Sequence, residues 1–348
     1  MEGSILITGN KGYIGTVMTK FLQEHGYKVV GLDYNYYDNC EFYPLETYPF
    51  HQIIKDIRDI DEKDLEGITA IIHLAALSND PLGDINPSIT YEINYLATIK
   101  LANLAKKLQI PKFIFASSCS MYGIASTDKP LTEQGRLNPI TPYAKAKAKA
   151  EEEILRLADD NFHPVIMRNA TVYGVSPNMR LDLVVNNLTA WAYLTGKVAI
   201  MSDGTPWRPI IHIKDFCKAF LAVLKAPIEK IHSQVFNVGI NKENYQVKDI
   251  AKVVEEIVPN SHVEILNKTG PDERTYRVDF SKIENTLSNF KPHWNLRNGV
   301  EELYQAYKKF GLTMEDFQSP KYFRVRWIKH LIKNKKLDNN LKWRQKSR

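Results

Sequence analysis

The chain has 348 residues, 44% of them hydrophobic and 25% charged, with a formal net charge of +6; this is a globular composition with enough length for one large or two moderate domains. Its three cysteines, Cys40, Cys119 and Cys217, fall in no metal-ligand or disulfide spacing, which argues against a disulfide scaffold and a structural zinc site. The charge is uneven: residues 319–348 carry eleven Lys or Arg against one Asp, a segment charge of +10, so the rest of the chain stands at −4 and a basic surface is expected only of the tail.

The N-terminus runs into the strand-like "SILIT" (4–8) with no basic leader, and no apolar run is long enough to span a bilayer, so a cytoplasmic protein is expected. "ITGNKGYIG" (7–15) follows that strand and opens a helix whose apolar stripe is Val17, Met18, Phe21 and Leu22. Its glycines, Gly9, Gly12 and Gly15, suit in turn a tight turn, a close backbone approach to a pyrophosphate, and helix packing on the strand. The helix N-terminus then offers free N–H groups and a positive dipole end to phosphates. The second strand, 27–33, ends in Asp33, whose carboxylate suits an adenosine ribose and would repel a 2′-phosphate; with no Arg or Lys in "YNYYDNC", NAD is expected rather than NADP.

Further continuous apolar runs follow at 70–76, 112–118 and 164–169, with a helical stripe of Leu96, Ile99, Leu101, Leu104 and Leu108 between two of them. Unbroken apolar strands alternating with helices predict an α/β fold, a Rossmann-type doubly wound parallel sheet. Beyond residue 175 the pattern loosens. A helix near 214–225 and a strand at 234–239 read as a return to the sheet. The expected division is therefore an NAD-binding domain over 1–175 joined by 212–240, a smaller substrate-binding lobe from 176–211 and 241–318, and a basic amphipathic tail over 319–348. In that tail Phe323, Trp327, Ile328, Leu331 and Ile332 share a helical face. Such a face packs on its own lobe or a neighbouring subunit, or else contacts an anionic membrane surface weakly. No module for nucleic acid accompanies it.

The glycine loop, "DIRD" (56–59), "HLAALS" (73–78), Asn94, "SSCSMYG" (117–123) and "YAKAK" (143–147) together resemble the extended short-chain dehydrogenases/reductases, in the NAD-dependent sugar-nucleotide epimerase/dehydratase branch. The resemblance covers about residues 3–312. It implies cofactor contacts at Gly9, Gly12, Tyr13, Ile14, Gly15, Asp33, Asp56, Ile57, Leu74, Ala75, Ala76, Asn94, Ser117, Tyr143 and Lys147, and catalysis by Ser118, Tyr143 and Lys147. Tyr143 and Lys147 are four apart and so share a helix face, and a neighbouring ammonium is expected to favour the phenolate. Tyr143 would take a proton from a sugar hydroxyl while NAD accepts hydride from the same carbon. Lys145, Lys149 and the three Glu of "EEE" (151–153) read as solvated charge.

The same resemblance places a nucleotide-diphosphate sugar against Ser118, Ser120, Asp182, Arg208 and Arg274, the two arginines on its diphosphate through their forked geometry. It also implies a homodimer. Relatives that eliminate water carry an Asp–Glu pair after the catalytic hydroxyl residue, where this chain has Cys119 and Ser120, so elimination and decarboxylation are not expected. Oxidation at C4 remains: a sugar-nucleotide 4-epimerase first, a C4 dehydrogenase or 4-ketoreductase as the alternative, and a non-catalytic NAD-binding regulatory protein as the alternative from another class. Cys119 more simply fills the place of a small residue.

Overall fold

The computed structural model describes residues 3–44, 48–266 and 274–344. Six strands, β1 (Ser4–Thr8), β2 (Lys28–Asp33), β3 (His51–Ile54), β4 (Ile68–His73), β5 (Lys112–Ser118) and β6 (His163–Asn169), join the later strand Gln234–Val238 in one sheet. The spatial order is Gln234–Val238, β6, β5, β4, β1, β2, β3, and every pairing is parallel. The strand order turns outward in both directions from the β1–β4 pair, which opens a crevice at the carboxyl ends of those strands.

The apolar runs form the strands expected of them because burial on both faces leaves no polar alternation to read. All seven residues of β6 are buried, as are Ile5 to Thr8 of β1. The edge strand β3 went unread: "HQII" is short and partly exposed. Beyond residue 175, where the sequence pattern loosens, 184–195 is a helix (Val184–Thr195) that ends on Gly196 in the left-handed region at φ 69°. Small sheets of 171–173 with 207–212 and 244–246, and of 197–200 with 262–265, complete the second layer.

Two readings of charged segments are corrected. Glu151 is not solvated. It is buried on the helix Pro142–Arg156 and takes a forked hydrogen bond from Arg168 at the end of β6, with Nε at 3.0 Å and Nη2 at 2.8 Å from Oε2. Arg168 Nη1 also donates to the Tyr122 hydroxyl and the Glu133 carbonyl, so the pair ties the helix to the sheet edge.

The tail is likewise built into the fold. Its helix, Arg324–Lys333, buries Trp327, Ile328 and Leu331 in the same apolar cluster as Leu32, Ile57 and Leu77 of the first sheet's layer. Trp327, Ile328 and Leu331 therefore pack on the first sheet's layer, while Phe323 packs edge-on against Phe317. Full burial of each such side chain is worth about 1.5–3 kcal/mol. A basic residue near an anionic surface gains only about 1 kcal/mol. Intramolecular packing wins, and the membrane contact weighed from the sequence has lost its apolar face. No helix among the described residues is long and apolar enough to cross a membrane.

Candidate functional site

The crevice at the carboxyl ends of the strands is a cleft of about 640 Å³. Of the residues marked out in the sequence, it gathers Gly9, Gly12, Tyr13, Ile14 and Gly15 from the first loop, Asp33 and Asp56–Ile57 from the next two strand ends, and Leu74–Ala76 after β4. Ser117, Ser118 and Ser120, Tyr143 and Lys147 line its middle, and Asp182, Arg208 and Arg274 its far end. Asn94 does not line it. Fully buried, Asn94 accepts from Leu77 N (2.8 Å) and donates to Leu77 O (3.1 Å), so it pins the loop after β4 instead of touching a ligand. Cys119 also faces away, with its thiol on Arg168 O.

The glycine loop is shaped by backbone contact. Gly9 sits at φ +74° and donates to Leu32 O at 2.7 Å. A Cβ on Gly15 would lie 2.1 Å from Gly9 O, so only glycine lets the helix Tyr13–Glu24 start this close to the turn. The Tyr13 hydroxyl is spent on Gly174 O at 2.8 Å, which leaves its main-chain N–H as what it can offer a phosphate. No side chain caps that helix. Asp33 is half-buried and accepts from Lys11 N (3.0 Å) and Asn35 N (2.8 Å); desolvation raises its pKa, and those two bonds counter the rise. A carboxylate has further acceptor sites for a diol.

Tyr143 and Lys147 do lie on the inward face of their helix, which starts with Thr141 accepting from Ala144 N and Pro142 in the first turn. Lys145 and Lys149 are exposed on the other side, and Lys149 rests over the rings of Tyr91 and Tyr95. The expected electrostatics need correction. Burial pushes the Tyr143 phenol well above its ordinary value, Asp80 adds to the rise, and Ser118, Arg180 and Arg274 oppose it. Burial pulls the Lys147 ammonium down to about 7, partly offset by Glu151. Lys147 Nζ donates to Ala116 O at 2.7 Å and lies 4.3 Å from the Phe115 ring centroid. Proximity in sequence does not by itself ionise the phenol, because the dry site penalises both charges.

The far end carries two ion pairs. Arg180 grips Asp182 through Nε and Nη2, each at 2.9 Å, and Asn79 donates to the same carboxylate at 2.8 Å. Arg274 pairs with Asp80, which also accepts from Thr141, and Arg208 donates to Arg274 O. Of the segment 270–282 that suggested Arg274, residues 270–273 lie outside the described residues. Asp80, Asn79, Asn169 and Tyr276 were missed. Asn79 and Asp80 follow β4 and Asn169 ends β6, so the rule that ligands meet the carboxyl ends of parallel strands could have found them. The sequence had suggested no carboxylate near the reacting centre; Asp80 is one, though both its oxygens already accept hydrogen bonds.

Four buried side-chain atoms on residues lining the cleft have no hydrogen-bond partner: Ser117 Oγ, Ser120 Oγ, Asn169 Oδ1 and Arg324 Nη1. Buried polar atoms of this kind cost about 1–3 kcal/mol each unless something fills them. With the bare loop N–H groups and Asp33, they fit a long polar ligand with a phosphate segment, as a dinucleotide has.

The sequence profile of the NAD dependent epimerase/dehydratase family matches residues 5–239. A UDP-glucuronate 4-epimerase of Thermodesulfobacterium geofontis is 28% identical over 320 residues, covering 86% of this chain and 94% of that one. A human dTDP-D-glucose 4,6-dehydratase is 26% identical, covering 88% and 90%. The crystal structure of UDP-glucuronic acid 4-epimerase from Bacillus cereus, in complex with UDP-glucuronic acid and NAD, superposes with a TM-score of 0.74 at 26% identity, covering 88% of this chain and 99% of that one.

Proposed function

The chain belongs to the NAD-dependent epimerase/dehydratase family, an enzyme family that uses NAD, and from that premise we propose that it inverts C4 of a UDP-linked sugar, with Tyr143 as the base. The single observation that carries this reading is the convergence of Tyr143, Ser118 and Lys147 in the cleft that also holds the phosphate loop. NAD, when bound, supplies a reversible hydride acceptor. The phenolic oxygen of Tyr143 then takes the proton of the C4 hydroxyl and returns it after the sugar presents its other face. Ser118 Oγ lies close enough to favour the phenolate and orients the same hydroxyl. Lys147 holds a positive charge beside the site once a ligand's polar groups replace part of its lost solvation. Arg208 and Arg274 hold the diphosphate, with Asp182 and Ser120 reading the sugar. Accordingly we assign residues 1–175 and 212–240 to the cofactor, and 176–211 with 241–318 to the sugar nucleotide.

Elimination is disfavoured because Cys119 and Ser120 stand where dehydratases carry their acid pair, and Cys119 faces away from the cleft. A C4 dehydrogenase or 4-ketoreductase is the second reading, since Ser118, Tyr143 and Lys147 would serve net oxidation or reduction at C4 equally well. A purely regulatory protein would have no use for the buried triad. The test is incubation of the purified protein with UDP-glucose and UDP-glucuronic acid, with products resolved by proton NMR. The 4-epimer should accumulate without lasting absorbance at 340 nm. A lasting rise would replace epimerisation by net oxidation, and loss of water would move the enzyme to the dehydratases.

The same reading carries a homodimer. Tyr91 and Leu96, exposed on the helical stretch 87–107, offer apolar surface beside the helix Pro142–Arg156. Light scattering should give twice the 40.0 kDa chain mass; a single-chain mass would remove the dimer.

A further inference from the structure

The tail closes over one end of the cleft, and it brings a cation that no carboxylate among the described residues pairs with. Arg324 is 1% exposed and lines the cleft, and its Nη1 has no hydrogen-bond partner. Nη2 donates to Asn178 Oδ1 (2.7 Å) and O (3.1 Å), and the guanidinium lies 3.9 Å from the Tyr37 ring centroid. Among the described residues no carboxylate touches it: the nearby Asp182 is bound by Arg180, which itself repels Arg324. A buried, unpaired charge costs several kcal/mol, so such a group persists where an anion completes it.

The neighbours say which anion. The Asn178 amide that holds Arg324 donates in turn to Lys11 O in the glycine loop (2.9 Å) and to Tyr37 O after β2 (3.2 Å). Arg324 is thus two hydrogen bonds from the phosphate loop. It also opens a ten-residue helix whose first-turn residues Arg324, Val325 and Arg326 line the cleft, with no side-chain cap. That end presents bare N–H groups and the positive end of a helix dipole.

The rest of the tail fastens this helix over the strand ends. Trp327 Nε1 donates to Tyr36 O (2.6 Å), Tyr36 to Leu341 O (2.6 Å) and Trp343 Nε1 to Tyr34 O (2.8 Å), while Lys342 pairs with Asp56 (3.0 Å) and Asp59 (2.6 Å).

We propose that residues 322–344 form a fourth wall of the dinucleotide site, in which Arg324 Nη1 binds the diphosphate of the cofactor and the strap holds that cofactor in place through successive turnovers. The proposal concerns cofactor binding and does not depend on which sugar is converted or how. A retained cofactor suits a reaction that returns it to its starting state, so the strap and the epimerase reading support each other.

The test is calorimetric titration of the full chain, freed of bound nucleotide, with NAD, ADP-ribose, adenosine and UDP. Arg324→Met should weaken NAD and ADP-ribose by at least about tenfold, as loss of a charge-assisted bond implies. Adenosine and UDP should change less than about twofold. Arg324→Lys should recover part of the loss, and Trp343→Ala should speed NAD release in stopped-flow. Equal weakening of NAD and adenosine would show a merely structural Arg324 and overturn the proposal. So would a loss confined to UDP, which would put the sugar nucleotide's diphosphate there instead, or no change at all. If Arg324→Met does not fold, the same ligands are compared on Arg324→Lys, where NAD and ADP-ribose should weaken and adenosine and UDP should not. None of these readings uses sugar turnover, so a failed epimerase assay leaves the outcome intact.

Discussion

Tyr143→Phe should lower turnover of the sugar nucleotide by roughly 10²–10⁴-fold, the range that one positioned acid–base group supplies. The phenolic oxygen is the group in the cleft that can accept a proton from a C4 hydroxyl held by Ser118. The ring buries against the same wall with or without the oxygen, so folding and NAD affinity should be little changed. The effect should fall on kcat with KM nearly constant, because the lost interaction belongs to the transition state. A variant that keeps a rate within tenfold of the parent would remove Tyr143 from the mechanism. Burial raises the Tyr143 phenol and lowers Lys147 to about 7, so in the protein alone the phenol stays neutral at neutral pH and Lys147 is only partly protonated. Ionisation is therefore tied to ligand binding, and the dry pocket that resists it also strengthens each interaction once made.

Glu151→Ala should destabilise the protein by about 3–5 kcal/mol, the cost of leaving one partner of a buried ion pair alone. Both side chains are nearly inaccessible, at 3% for Glu151 and 8% for Arg168. The variant strands the Arg168 guanidinium between β6 and the helix Pro142–Arg156, where Tyr122 and the Glu133 carbonyl satisfy only one of its nitrogens. Urea unfolding should show a lower midpoint. The double variant Glu151→Ala, Arg168→Met should recover much of the loss, since it removes the orphaned charge. A loss under about 1 kcal/mol for the single variant would mean that water reaches Arg168 and that the pair is not buried in solution.

Much of the cofactor half was legible in the sequence because its signals are local. The glycine loop, Asp33 and the Tyr143–Lys147 spacing each follow from a few adjacent residues and one element type. The same local reading misjudged Glu151. A Lys- and Glu-rich helix looks solvated, and nothing nearby announces the Arg168 that meets it from β6, seventeen positions later. Asn94, expected at the cofactor, lies outside the cleft lining with its amide bonded to Leu77, a contact set by the fold of the loop after β4. Arg324 was invisible for a stronger reason. Its partners Asn178 and Tyr37 lie far away in the chain, and in sequence it is one basic residue among the eleven of the tail. Excess charge made the segment look like a surface, whereas its buried aromatic and aliphatic residues fix it to the cleft.

The most direct test of the central claim follows one atom. UDP-glucose carrying deuterium at C4 is incubated with the enzyme, and the product is examined by mass spectrometry and NMR. Inversion through a retained hydride gives a product of opposite C4 configuration that keeps deuterium at C4, takes up none of the solvent's hydrogen there, and leaves no lasting absorbance at 340 nm. Loss of the label from C4, with absorbance at 340 nm rising in step, would contradict it, as would inversion that exchanges C4 hydrogen with water.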